Sequence, residues 1–168
     1  MSDTKFNKTY ELILEGIFEP ASDEEVAERR KKYMSIITKD WMEEFLQRKD
    51  IHKNDDGSYD VDGGVYIHDI LELGRLPIKF NKVKGDFESS MTNLETLEGA
   101  PKEIGGSFYF SYNNLDSKRD VHKYFPKKIG GNVDADMAGD VFNVADKDRL
   151  VRELNSISDI KGNVLIDT

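Results

Sequence analysis

The chain has 168 residues, 38% hydrophobic and 34% charged, with 24 Lys and Arg against 33 Asp and Glu, a formal net charge of −9 and no cysteine. That length suits one domain, or one domain with a small appendage, and so wet a composition suits a thin core with much surface. The acidic balance argues against a phosphate-backbone binder and so against nucleic acid; the absent thiols exclude disulfides, thiolate metal sites and a Cys nucleophile, and point to a reducing cytoplasm.

At the N-terminus, Phe6, Tyr10, Ile13 and Leu14 fall at helical spacing in "MSDTKFNKTYELILE", which predicts a short amphipathic helix in a separate peptide over 1–21. No stretch has the basic n-region and apolar core of a secretory signal, and no apolar run reaches the roughly 18 to 20 residues that span a bilayer, so no membrane partner is expected. Pro20 breaks the chain. Ser22 and Glu25 then form a capping box, each able to satisfy the other's free backbone N–H, so a helix should start there. Val26, Tyr33, Ile36 and Ile37, followed by Trp41, Met42, Phe45 and Leu46, predict one or two packed helices over 22–50, ended by "NDDGS". They are read as a helical cap over 22–56.

Beyond residue 57 the texture changes to short β-rich runs separated by Gly and Asn, and a phrase recurs. A β-branched residue, any residue, Gly, any residue, then Val or Phe occurs at Val61, Val83, Ile104, Ile129 and Ile160, at intervals of 22, 21, 25 and 31 residues. Units of this size with one strand each cannot bury their own apolar side and must stack, making a parallel sheet. The fold class is therefore α/β: a short solenoid of about five stacked parallel strands over 57–168, with the N-terminal helical cap. Alternation along each strand sets Val65, Phe87, Phe108, Val133 and Val164 in one inward column and Ile67, Ser89, Phe110, Ala135 and Ile166 in a second. The outward column is then Tyr66, Glu88, Tyr109, Asp134 and Leu165. Leu73, Leu76, Phe80, Leu94 and Leu97 should floor the core, and Leu150, Val151 and Leu154 predict a helical insertion near 145–156.

The stretches "DGSYDVDGGVYI", "LPIKFNKVKGDF" and "LETLEGAPKEIGGSFYFSYNNL" resemble the degenerate leucine-rich-repeat-like proteins of tailed bacteriophages over roughly 55–137. The fourth repeat departs from that pattern, carrying acids in "GNVDADMAGD" where the others carry aromatics or hydroxyls. The N-terminal "FNKTYELILEG" resembles the head-targeting peptides of internal proteins in T-even-type phages, which are cut after a Glu two residues behind an Ile or Leu. That resemblance implies cleavage between Glu15 and Gly16.

The residues that could carry chemistry have simpler readings. "SYDVDGGVYIHD" matches a calcium loop in Asp60, Asp62, Gly63, Val65 and Asp69, but Ser58 stands where the first carboxylate belongs and Asp69 replaces a bidentate Glu. His52, His68 and His122 have no metal-ligand spacing, so no metal or cofactor is expected. His68 with Asp69, Ser90 and Ser111 could form an outward Ser-His-Asp row, which keeps a hydrolase open as an alternative. The acids Asp134, Asp136 and Asp140 read as a solvated face or as a patch for a basic partner. The favoured reading is a noncatalytic phage accessory protein that binds a host or virion protein through Tyr66, Glu88, Tyr109, Tyr112, Asp134 and Asp136, with inhibition of that protein as one outcome. It would act in the host cytoplasm. An internal head protein located in the virion is the other alternative.

Overall fold

The computed structural model describes residues 22–67, 74–115, 118–136 and 147–166. The chain divides into two units, 1–43 and 44–168. In the first, helix α1 (Asp23–Leu46) opens with the expected capping box. The Ser22 N–H donates to Glu25 Oε2 at 2.9 Å, and the Glu25 N–H donates to Ser22 Oγ at 3.3 Å. Asp23, Glu24 and Glu25 in the first turn complement the positive end of the helix dipole. One helix runs where one or two were expected. No Gly or Pro interrupts these 24 residues, and the mid-helix Thr38 hydroxyl turns back to donate to the Met34 carbonyl at 2.7 Å. Of the expected apolar stripe, Ile37 and Trp41 are buried, whereas Val26 and Ile36 are exposed. The helix stops at Leu46, short of residue 50, through tightened turns from the Gln47 N–H to Glu44 O and from the Arg48 N–H to Phe45 O.

The second unit is a parallel β-solenoid. Each recurrence of the repeated phrase supplies two very short strands, one on either side of its glycine, where one strand had been expected. β1 (Ile51–Lys53), β2 (Tyr59–Val61), β4 (Phe80–Val83), β6 (Glu103–Ile104), β8 (Lys128–Ile129) and β10 (Asp159–Ile160) form one sheet in that order. β3 (Val65–Tyr66), β5 (Phe87–Glu88), β7 (Phe108–Tyr109), β9 (Val133–Asp134) and β11 (Val164–Leu165) form the other. The phrase anchors pair in register, Val61 with Val83, Ile104, Ile129 and Ile160 in turn. β1 pairs antiparallel with β2 and closes that edge of the first sheet, so this residue run belongs with the repeats rather than with the helix. Within the same unit the last turn of α1 adds Phe45, whose ring meets Phe80 edge-on at 5.8 Å. Helices α2 (Lys118–Tyr124) and α3 (Lys147–Ile157) replace short returns, α3 where a helical insertion was expected.

Both inward columns are as expected: Val65, Phe87, Phe108 and Val133 are fully buried, Val164 is half-buried at the last repeat, and Ile67, Ser89, Phe110, Ala135 and Ile166 are buried. Leu76, Phe80, Leu94 and Leu97 floor the core; Leu73 lies outside the described residues. Phenylalanine rings pack the core within and between repeats: Phe80 meets Phe87 at 5.1 Å within one repeat, Phe87 meets Phe108 of the next at 5.9 Å, and Phe108 stacks on Phe110 of its own repeat at 4.7 Å. Such pairs add to the large area each ring buries.

The recurring glycines stand where backbones of adjacent repeats touch. A Cβ on Gly131 would lie 2.8 Å from the Gly106 carbonyl carbon, and one on Gly85 would lie 2.7 Å from the Gly64 nitrogen. Just after these glycines, side chains tie each turn to the next. Asp86 accepts from the Ser107 N–H at 2.7 Å, Ser107 from the Asn132 N–H at 3.0 Å, and Asn132 from the Asn163 N–H at 2.9 Å. Stacking therefore uses up the turn's polar groups instead of leaving them to water.

Candidate functional site

On the outward side of the second sheet, the register aligns Tyr66, Glu88, Tyr109, Asp134 and Leu165 in one row. Parallel strands lie about 4.8 Å apart, so neighbouring side chains in this row are in reach of one another. Tyr66 is 59% exposed and Leu165 44%, while Glu88, Tyr109 and Asp134 are half-buried. Tyr66 reaches back over Gly64, where an added Cβ would lie 3.1 Å from the tyrosine Oη. The row contains no cation.

Three residues past the row, the chain turns at equivalent places in two repeats, Met91 and Tyr112, both in the left-handed region at φ 55°. Their N–H groups donate to Ser111 O and Asp136 O at 2.9 Å each, so the two turns are stacked as the strands are. Glycine or asparagine would hold this backbone most cheaply, yet a Met and a Tyr stand here, 53% and 49% exposed. Asp134 accepts a short hydrogen bond from the Ser111 hydroxyl, whose oxygen in turn accepts from the Asp136 N–H at 2.8 Å. Glu88 accepts from the Ser90 N–H at 2.9 Å. The acids are thus pinned by local donors.

The other sheet presents a different face. Its register sets Asp60, Lys82, Glu103, Lys128 and Asp159 side by side, alternating in sign. Glu103 lies 3.4 Å from Lys82 and 3.5 Å from Lys128. Partial burial opposes ionisation of Glu103, but the two ammonium groups outweigh it and hold its carboxyl below the usual range. Burial likewise opposes ionisation of Asp60, and its pKa is nonetheless lowered because Oδ1 accepts from Asn81 at 2.7 Å, from Asn54 at 3.2 Å and from the Lys82 N–H at 3.1 Å. Asp62 is lowered by Lys84 at 2.9 Å and by His52 at 3.4 Å. Asp60 and Asp62 of the calcium-like stretch are therefore taken by protein partners, and no group of three or more metal-ligating side chains occurs among the described residues.

His68, Asp69, Asp140, Glu15 and Gly16 lie outside the described residues, and with them the cleavage site and the His and Asp of the Ser-His-Asp row. Ser111 is engaged with Asp134. His122 on α2 meets Glu153 on α3 at 2.6 Å, and Lys118 meets the other carboxylate oxygen at 2.6 Å. Burial works against the Glu153 charge, and these two donors overcome it, so its pKa is lowered. The spacing of the three histidines gave no hint of this pairing, which crosses 31 residues. Among the described residues no helix is long and apolar enough to cross a membrane. Comparison of the chain with protein-family models, with curated proteins and with solved structures finds no match.

Proposed function

We propose that the protein is a noncatalytic binding module whose outward row on the second sheet, with the turn residues Met91 and Tyr112, engages a protein partner. The contrast between its two sheet faces carries this reading. On one, every charge of the central row is answered by a neighbour of opposite sign. On the other, Tyr66, Tyr109, Tyr112, Met91 and Leu165 stand beside Glu88 and Asp134 with no cation in the row. Tyrosine anchors on a stiff sheet lose little conformational entropy on binding, and aromatic residues dominate interface energetics. The acidic rim suits a partner with an apolar groove flanked by Lys or Arg.

The resemblance to repeat proteins of tailed phages makes that partner a host or virion protein, encountered in the host cytoplasm, with inhibition as one consequence of occupying its surface. The test starts from capture of the partner by the intact chain from infected cells, followed by titration of the purified partner. Tyr109→Ala should weaken binding by at least about 2 kcal/mol, while Asp134→Asn with Asp136→Asn should mainly flatten its dependence on ionic strength. Normal binding by Tyr109→Ala, together with loss of binding on substituting exposed Ile36 of α1, would place recognition on the helix and overturn the assignment.

A further inference from the structure

A second surface of the solenoid, independent of the row just described, has the opposite charge. The segments entering β4, β6 and β8 line a groove of about 680 Å³, rimmed by Arg75, Lys79, Lys102, Lys123 and Lys127 with Glu98 as its acid. Its floor is apolar: Leu76, Phe80, Ala100 and Phe125 are buried there, while all five cations are exposed or reach the surface. In a chain of net charge −9 this is a local reversal of sign.

Two of the cations are held by other groups. Lys79 pairs with Asp56 at 3.0 Å, and Lys123 donates to the Tyr124 hydroxyl at 2.7 Å. Lys102 and Lys127 differ. The Lys127 N–H donates to the Lys102 carbonyl at 2.7 Å, which makes them like-charged neighbours on adjacent repeats, and among the described residues neither has a carboxylate partner. One position along the same strands, the row of Lys82, Glu103 and Lys128 alternates in sign. Like charges placed side by side on neighbouring strands are destabilising, and among the described residues no carboxylate pairs with either lysine to relieve them.

We propose that this groove docks an extended acidic segment of a partner protein, with carboxylates alternating with apolar side chains. In an extended chain alternate residues face opposite ways, so one edge can meet the lysine rim while the other fills the floor. Long polyanions are disfavoured, because the surrounding acidic surface repels whatever extends beyond the groove. That separates a short peptide from a nucleic acid.

The experiment is fluorescence anisotropy of the intact chain with a short fluorescein-labelled peptide alternating Glu and Leu. Controls are the same peptide with Gln for Glu and a labelled single-stranded oligonucleotide. Lys102→Gln with Lys127→Gln should weaken the Glu peptide at least about tenfold and reduce its salt dependence. Its melting temperature should hold or rise as the repulsion is removed, which excludes unfolding as the cause. Tyr109→Ala should bind the peptide normally, so failure here and failure of the tyrosine face are distinguishable. Equal binding of the Gln peptide, tighter binding of the oligonucleotide, or unchanged affinity in the double lysine variant would each overturn the proposal.

Discussion

Asn113 is only 3% exposed, and its amide has five partners. Oδ1 accepts from the Thr92 N–H at 3.2 Å, the Thr92 hydroxyl at 3.2 Å and the Leu94 N–H at 2.9 Å. Nδ2 donates to Ser89 O at 2.8 Å and Phe110 O at 2.9 Å. This side chain joins the turns of two repeats at a place where the backbone bends out of the sheet and cannot satisfy itself. Asn113→Ala leaves buried donors and acceptors unpaired, each costing about 1 to 3 kcal/mol. A total loss of more than about 2 kcal/mol in a urea titration is expected, whereas Asn114→Ala, on an exposed neighbour, should lie within about 0.5 kcal/mol of the parent. Equal effects at 113 and 114 would mean the turn does not depend on the buried amide. Ser158 shows the converse: its buried hydroxyl oxygen has no hydrogen-bond partner among the described residues.

At the scale of the strand, β7 carries the sharpest test of facing, because Phe108 is fully buried and its neighbour Tyr109 stands in the outward row. Phe108 meets Phe87, Phe110 and Phe125 at 5.9, 4.7 and 5.7 Å. Phe108→Ala should cost about 3 to 5 kcal/mol in chemical denaturation, and Tyr109→Ala much less. Comparable losses at both would contradict the facing. This alternation was legible in the sequence because the glycine after each anchor is required by close approach at places such as Gly131, so the same phrase must return at every repeat. The second strand of each repeat was hidden. Strands of two residues such as Glu103–Ile104 are too short to show a period, and the phrase anchor itself ends the strand. The alternating charges at Lys82, Glu103 and Lys128 were equally invisible, since they become neighbours only once the register across repeats is known. The basic groove is spread over Arg75 to Lys127 and has no local motif at all. By contrast, Tyr66 and Tyr109 followed from the same alternation that placed the core, whereas Tyr112 is exposed through its left-handed turn.

Across the whole molecule, the carboxylates that tie the solenoid together share one direction of perturbation. Asp56 is held low by the Ser58 hydroxyl and N–H and by Lys79, Asp50 by Arg48, and Asp62 by Lys84 and His52. Asp60, Glu103 and Glu153 are lowered against the opposing effect of burial. In each case the folded protein releases the proton more readily than the unfolded chain, so between the two pKa values the unfolded state binds more protons. Stability must then rise with pH through that window, be fully present above the unfolded carboxylate range near about 4, and be lost as pH falls through the folded values. The urea midpoint should therefore be flat from neutral pH down to about 5.5 and fall steadily below about 4.5. The contributions also differ in their response to salt. The exposed Lys82, Glu103 and Lys128 row is open to screening, whereas Asp60 is held by two asparagine amides and a backbone N–H, which ions do not replace. Added NaCl should flatten only part of the acid decline. Asp60→Asn, which keeps an oxygen for those donors but does not titrate, should make the profile shallower at high salt as well as low. An acid profile unchanged by Asp60→Asn would show that general repulsion in the protonated chain, and not the release of specific hydrogen-bonded carboxylates, unfolds the solenoid.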